Sequence, residues 1–83
     1  MPIKLFVKDD CPRCPAAKNA CEGIGGVEVF NVDEIDGLAE AHFYGVLSTP
    51  SVLVIDDNGK EVTGWRGVAP ERARLRMYEE LKS

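Results

Sequence analysis

Three cysteines carry the reactive chemistry of this 83-residue chain: Cys11, Cys14 and Cys21. Cys11-Pro12-Arg13-Cys14 is a Cys-x-x-Cys, a spacing at which two thiols can join and part reversibly. In the first turn of a helix, residues i and i+3 share a face. Their Cα atoms are then roughly 5 Å apart, inside the range of about 4.4–6.8 Å that a disulfide accepts. A helix N-terminus also offers unpaired N–H groups and about half a positive charge, which stabilise a thiolate at Cys11. Lys8 and Arg13 add positive charge, and Asp9 and Asp10 oppose it. Position predicts the roles. Cys11, at the exposed tip, attacks a disulfide and forms a mixed disulfide, and Cys14, which opens an apolar stripe, resolves it. Pro12 suits the first helical turn because its φ is fixed. Pro15 is less expected there, since it removes an N–H.

A structural metal is the rival chemistry, with Cys11, Cys14, Cys21 and His42 as four donors. Cys14 and Cys21 are seven residues apart, about 10.5 Å along a helix axis. Thiolates on one zinc must each lie about 2.3 Å from it. A continuous helix and a shared zinc therefore exclude each other, and no metal site is expected. The same spacing keeps Cys21 from a disulfide with Cys14, leaving it as a small core residue on the helix stripe, with a regulatory thiol as the alternative.

The elements needed to hold the pair follow from periodicity. Residues 3–8 alternate, with Ile3, Leu5 and Val7 against Lys4, Phe6 and Lys8, and read as a strand. Cys14, Ala17, Cys21 and Ile24 recur at helical spacing, while Lys18, Asn19 and Glu22 face away. Gly23, Gly25 and Gly26 end that helix. Val27 to Val32 reads as a second strand. Asp33 or Asp36 can cap a second helix through about Tyr44, and Gly45 stops it. Ser51 to Ile55 is an apolar run, as expected of a central strand covered on both faces. Asn58-Gly59 signals a two-residue hairpin, returning as a strand from Glu61 to Trp65. Pro70 suits the first turn of a third helix running to about Leu81. The order β-α-β-α-β-β-α predicts an α/β domain over 1–83: a four-stranded mixed sheet with helices on both faces. Its first βαβ unit is parallel and right-handed.

Composition narrows the function. A net charge of −4 and a pI near 4.9 argue against nucleic acid as partner. Arg66, Arg72, Arg74 and Arg76 are the local exception. On a helix the last three spread over different sides, a solvated surface with Glu71, Glu79 and Glu80 nearby. No 18-residue apolar run is present and no apolar stretch of signal-peptide length follows Met1, so a cytoplasmic protein without membrane contact is expected. In that compartment thiols are kept reduced, and an odd cysteine count points to redox or metal chemistry.

Strand, Cys-Pro-x-Cys, helix, strand, helix, then a proline opening the next strand resembles the thioredoxin/glutaredoxin superfamily over nearly the whole chain. Tyr44-Gly45-Val46-Leu47-Ser48-Thr49-Pro50-Ser51 is similar to the family segment leading into a cis-proline. The resemblance implies that Pro50 faces Cys11 and Cys14, and that the Thr49 backbone pairs with the substrate chain. An ordinary trans proline at a strand start is the alternative. Gly67, after Trp65-Arg66, resembles the loop that completes the substrate groove. Trp65 and Arg66 beside it either meet partners or, for Trp65, pack in the core. Pro12 and Arg13, between the cysteines, join this expected substrate surface.

The departures from the family pattern are specific. Cys-Pro-x-Cys is closer to glutaredoxins than to the Trp-Cys-Gly-Pro-Cys of typical thioredoxins, and Asp10 replaces the tryptophan. Leu5 stands where thioredoxins bury an acidic residue. Gly64 and Gly67 are apart where glutaredoxins carry a Gly-Gly pair for glutathione. The Trp65-to-Pro70 stretch is similar to small hybrid redoxins that accept electrons from thioredoxin reductase. Archaeal and anaerobe small thioredoxins share this mixture. The resemblance implies a monomeric protein-disulfide reductase without bound cofactor, recycled by thioredoxin reductase or a similar donor, with a glutathione-dependent glutaredoxin as the first alternative and a metal-binding module as the second.

Overall fold

A computed structural model describes residues 1–80. It contains β1 (Ile3–Val7), α1 (Cys14–Cys21), β2 (Val27–Asn31), α2 (Ile35–Phe43), β3 (Ser51–Ile55), β4 (Glu61–Arg66) and α3 (Arg72–Glu80). The strands form one sheet in the order β2-β1-β3-β4. β1 pairs parallel with β2 and antiparallel with β3, and β3 pairs antiparallel with β4. The sheet is mixed, as the order of elements predicts.

Strand alternation sends neighbouring side chains to opposite faces. Ile3, Leu5, Val7, Val52 and Val54 pack with Cys14, Ala17, Cys21 and Ile24 on and after α1, and with Leu75 of α3. Phe6, Leu53 and Ile55 face the other way, against Ala41 of α2 and Val46. All five residues of β3 are buried, because helices cover both of its faces. The predicted stripe of α1 is the buried one, and Lys18, Asn19 and Glu22 are exposed.

Several boundaries differ from the sequence expectation. α1 starts at Cys14 with Arg13 as N-cap, so Cys11 and Pro12 lie in the turn before it. Pro15 explains the late start. At the second helical position its missing N–H costs nothing, whereas in a helix begun at Pro12 it would remove a bonded donor. Neither Asp33 nor Asp36 caps α2. Glu34 is the N-cap and makes no side-chain cap bond. The Asp33 carboxylate instead accepts the Asp9 N–H at 2.9 Å. The hairpin uses three residues rather than two. The Asp56 N–H bonds the Lys60 carbonyl, the Asp56 carboxylate accepts from Asn58 and Lys60, and only Gly59 has positive φ (82°). A two-residue Asn-Gly turn of the primed type needs positive φ at both positions. Pro70 is buried but precedes α3, which begins two residues later. Leu81, the expected helix end, lies outside the described residues.

Ties across the layers hold the elements that flank the site. The Arg72 guanidinium donates to the Asn19 carbonyl near the end of α1 at 2.6 Å. The Arg66 guanidinium grips both Glu61 oxygens at 2.8 and 2.7 Å and donates to the Tyr44 carbonyl at 2.9 Å. Arg66 thereby holds the Glu61 carboxyl below its usual pKa. On the α2 side, Lys4 pairs with Glu40 at 2.7 Å and Glu28 at 3.3 Å. Burial works to lower the Lys4 pKa, but the hydrogen bonds its ammonium donates to Glu40 and Glu28, with their charges, outweigh it and leave it raised.

Gly37 sets how closely α2 approaches β2. It is buried, and a Cβ built there would run into the backbone carbonyl of Asn31. Backbone cannot rotate away as a side chain can. Gly37→Ala is therefore expected to destabilise the fold by about 1–3 kcal/mol, as overpacking does. A fall in the urea midpoint with unchanged slope is the readout.

Candidate functional site

Cys11 and Cys14 are joined as a disulfide, with Cα atoms 5.4 Å apart. The local chain explains the closeness. The Cys14 N–H bonds the Cys11 carbonyl at 3.2 Å, closing the turn from which α1 grows. The two sulfurs occupy different surroundings. Cys14 is 3% exposed, packed in the cluster that contains Leu5 and Ala17. Cys11 is half-buried at the edge of that cluster. The sequence expected an exposed tip at Cys11. Packing against the core covers part of it, but it remains the more open of the two.

Around Cys11 the structure gathers segments distant in sequence. A cavity of about 680 Å³ is lined by Cys11, Pro12 and Arg13, by Val32 and Asp33 after β2, by Leu38, Ala41 and His42 of α2, and by the stretch from Val46 to Thr49. The Thr49–Pro50 bond is cis. Pro50 is buried and its carbonyl accepts the Gly67 N–H at 2.8 Å. Gly67 adopts φ 79°, which other residues rarely tolerate, and a Cβ there would meet the Ser48 hydroxyl at 3.4 Å. Arg13 reaches across to the Gly67 carbonyl at 3.4 Å. Pro12, Arg13 and Thr49 thus line the cavity, and Gly67 is tied to its edge through Arg13 and Pro50.

Charges near the sulfurs are shared out by hydrogen bonds. Asp9 accepts from the Asn31 side-chain amide at 2.8 Å, so its carboxylate is directed at the end of β2. Lys8 and Asp10 line the cavity with Cys11. Buried side chains at the site are apolar apart from Ser51, whose hydroxyl donates to the Ser48 carbonyl at 2.7 Å. Leu5 is 1% exposed, in the same cluster as Cys14.

Cys21 lies seven residues along the same helix, buried and unbonded, and burial pushes its thiol pKa up. Among the described residues no group of three or more His, Cys, Asp or Glu side chains is gathered to hold a metal ion. Trp65 packs against the α1 side of the core and meets Tyr78 edge-on at 6.5 Å, so the core reading applies to it. Arg66 is engaged by Glu61 and Tyr44. Sequence reasoning missed the apolar wall of Val32 and Leu38. Val32 follows β2 and Leu38 is one of several apolar residues of α2, and only the packing of α2 beside the Cys11 turn brings them to one cavity. No described helix is long and apolar enough to cross a membrane.

A family model described as a thioredoxin domain matches residues 1–78. A thioredoxin of Methanocaldococcus jannaschii is 32% identical over 60 residues, covering 66% of this chain and 71% of that protein. Among solved structures, thioredoxin 1 of Thermosipho africanus superposes with a TM-score of 0.70 at 20% identity, over 98% of this chain and 93% of that one. The reduced C-terminal domain of Neisseria meningitidis DsbD gives 0.67 at 17%, over 95% and 78%. At these identities the two structures speak to the fold.

The different environments of the thiols predict different reactivity. After reduction, iodoacetamide at neutral pH is expected to modify Cys11 first. Cys21 should react only at the rate of global opening, because a buried, protonated thiol is a poor nucleophile. Peptide mapping over time checks this, and early labelling of Cys21 would contradict it.

Proposed function

Since this chain belongs to the thioredoxin family, we propose that it is a thiol–disulfide oxidoreductase that reduces protein disulfides, with Cys11 attacking and Cys14 resolving. The observation that carries the reading is the joined pair itself: two cysteines 5.4 Å apart at Cα, one at a cavity mouth and one in the core.

The chemistry balances as two exchanges. The Cys11 thiolate attacks one sulfur of the target disulfide. A bond forms between Cys11 and the target, and the other target sulfur leaves as a thiolate that takes a proton from water. The Cys14 thiolate then attacks Cys11 sulfur, releasing the second target thiol and restoring the Cys11–Cys14 bond. Two electrons pass from the pair to the target. The half-buried position of Cys11 supports its role as the sulfur met by partners, and the burial of Cys14 supports intramolecular resolution.

Thr49 and Pro50 offer the target chain a backbone surface beside Cys11, and Pro12, Arg13 and Gly67 complete it. The protein acts as one domain in the cytoplasm, as a monomer, and a dithiol donor such as thioredoxin reductase returns it to the reduced state. Gly64 weighs against glutathione as that donor. Its Cβ position lies 2.6 Å from Leu53 Cδ2, so this glycine serves packing of the sheet.

Insulin reduction with excess dithiol is the test. Cys11→Ser is expected to lose essentially all turnover above background. Cys14→Ser, reduced beforehand and mixed with insulin after the dithiol is removed, should instead accumulate a mixed disulfide with the target, visible by mass. Equal rates for Cys11→Ser and the parent would overturn the reading.

A further inference from the structure

Resolution of a mixed disulfide moves a proton, and the core around Cys14 offers nothing to move it. The Cys14 thiol must lose its proton before it can attack Cys11, because the thiolate is the nucleophile. Burial opposes that loss. Cys14 is 3% exposed, among Leu5, Ala17 and other apolar side chains, and apolar surroundings disfavour the charged form. Among the described residues Ser51 is the one buried polar side chain, and its hydroxyl is committed to the Ser48 carbonyl at 2.7 Å. Among these residues, therefore, no buried acid or base stands behind Cys14. Its sulfur is bonded to that of Cys11, which borders the cavity, so the way out for the proton leads there.

The cavity gathers ionisable side chains from four parts of the chain. Lys8 follows β1, Asp10 and Arg13 flank Cys11 and Pro12 before α1, Asp33 follows β2, and His42 stands on the last turn of α2. Carboxyl groups ordinarily stay charged near neutral pH, and lysine and arginine keep their protons. Histidine is the side-chain type that both takes and gives a proton between pH 5 and 8. His42 is the only histidine in the chain. It is exposed, so water reaches it. Asp10 and Asp33 favour its cation, as do the free carbonyls at the end of α2, and Lys8 and Arg13 oppose it. The stretch from Val46 to Thr49, on the remaining side, adds no charge.

We propose that His42 is the proton acceptor for resolution. Its neutral ring takes the Cys14 proton through water in the cavity as Cys14 attacks Cys11, and the imidazolium returns that proton to the departing target sulfur. The Cys14–Cys11 bond forms and the bond between Cys11 and the target breaks. The proton lost by one thiol is gained by the other, so no further reactant is needed. The inference rests on Cys11 attacking and Cys14 resolving, and adds the group that moves the proton between them. Acid–base transfer by a positioned side chain contributes about 10²–10⁴-fold, and relay through water in an open cavity reduces that to about tenfold or more.

Stopped-flow mixing of the reduced protein with excess dithiobis(nitrobenzoate), an aromatic disulfide, separates the two exchanges. One coloured thiolate leaves when Cys11 attacks, at a rate that depends on reagent concentration. A second leaves when Cys14 resolves, at a rate that does not. At neutral pH, His42→Gln is expected to slow the second release by about tenfold or more and to leave the first within about twofold. The second rate of the parent should fall with a histidine inflection as pH drops from about 8 to about 5, because the neutral ring is the base. His42→Gln should lack that inflection. In His42→Ala, added imidazole should restore the second rate in proportion to its concentration. His42 is exposed, so both variants should fold. An unchanged second rate, a loss confined to the first, or no rescue by imidazole would overturn the role of His42 alone. No second release from the parent would overturn Cys14 as the resolving sulfur, and the role of His42 with it.

Discussion

One packing constraint organises the molecule: Cys14 is both the first residue of α1 and a member of the core. Its side chain sits among Leu5, Ala17 and their neighbours, which anchors the start of the helix against β1. The three-residue turn before it closes through the Cys14 N–H and the Cys11 carbonyl. Cys11 is thereby placed at bonding distance from a partner that solvent cannot easily reach. Asymmetry between two adjacent sulfurs, rather than the presence of two sulfurs, is what lets such a pair accept an outside disulfide and then let go of it.

The sheet serves that constraint from both sides. Odd-numbered positions of β1 meet α1 and α3, and Phe6 meets the α2 side. A small chain buries a modest share of its surface, so covering β3 completely matters to its stability. The same covering positions α2 beside the Cys11 turn. Gly37 lets α2 come close to the end of β2, and that closeness brings Leu38 and His42 to the cavity. The cis Thr49–Pro50 bond and the Gly67 turn meet at a single hydrogen bond, so β3 and β4 contribute their adjoining ends to one mouth.

Most of this was legible in the residues, for physical reasons. Strand alternation and the Cys14-Ala17-Cys21-Ile24 stripe report burial directly, and burial is what forms the layers. The Cys-x-x-Cys spacing reports distance, since three residues of chain leave little choice. What escaped was set by hydrogen-bonding competition that spacing does not encode. Asp33 could have capped α2 but binds Asp9 instead. Asn58-Gly59 could have made a two-residue turn, but Asp56 gathers two backbone N–H groups and widens it. Pro15, which looked misplaced, marks the true start of α1 once the missing N–H is counted. The apolar wall was invisible because its members come from three separate segments, after β2, in α2 and before Pro50, and are individually ordinary.

Cys11 and Cys14 form a reversible two-electron couple in which Cys21 takes no part. Equilibrating the protein in dithiothreitol buffers of graded potential, then trapping free thiols and reading each cysteine by mass, tests it most directly. One transition with a slope of two electrons is expected, in which Cys11 and Cys14 change together while Cys21 stays a thiol throughout. No reversible transition, or one that pairs Cys21 with either of the others, would contradict it.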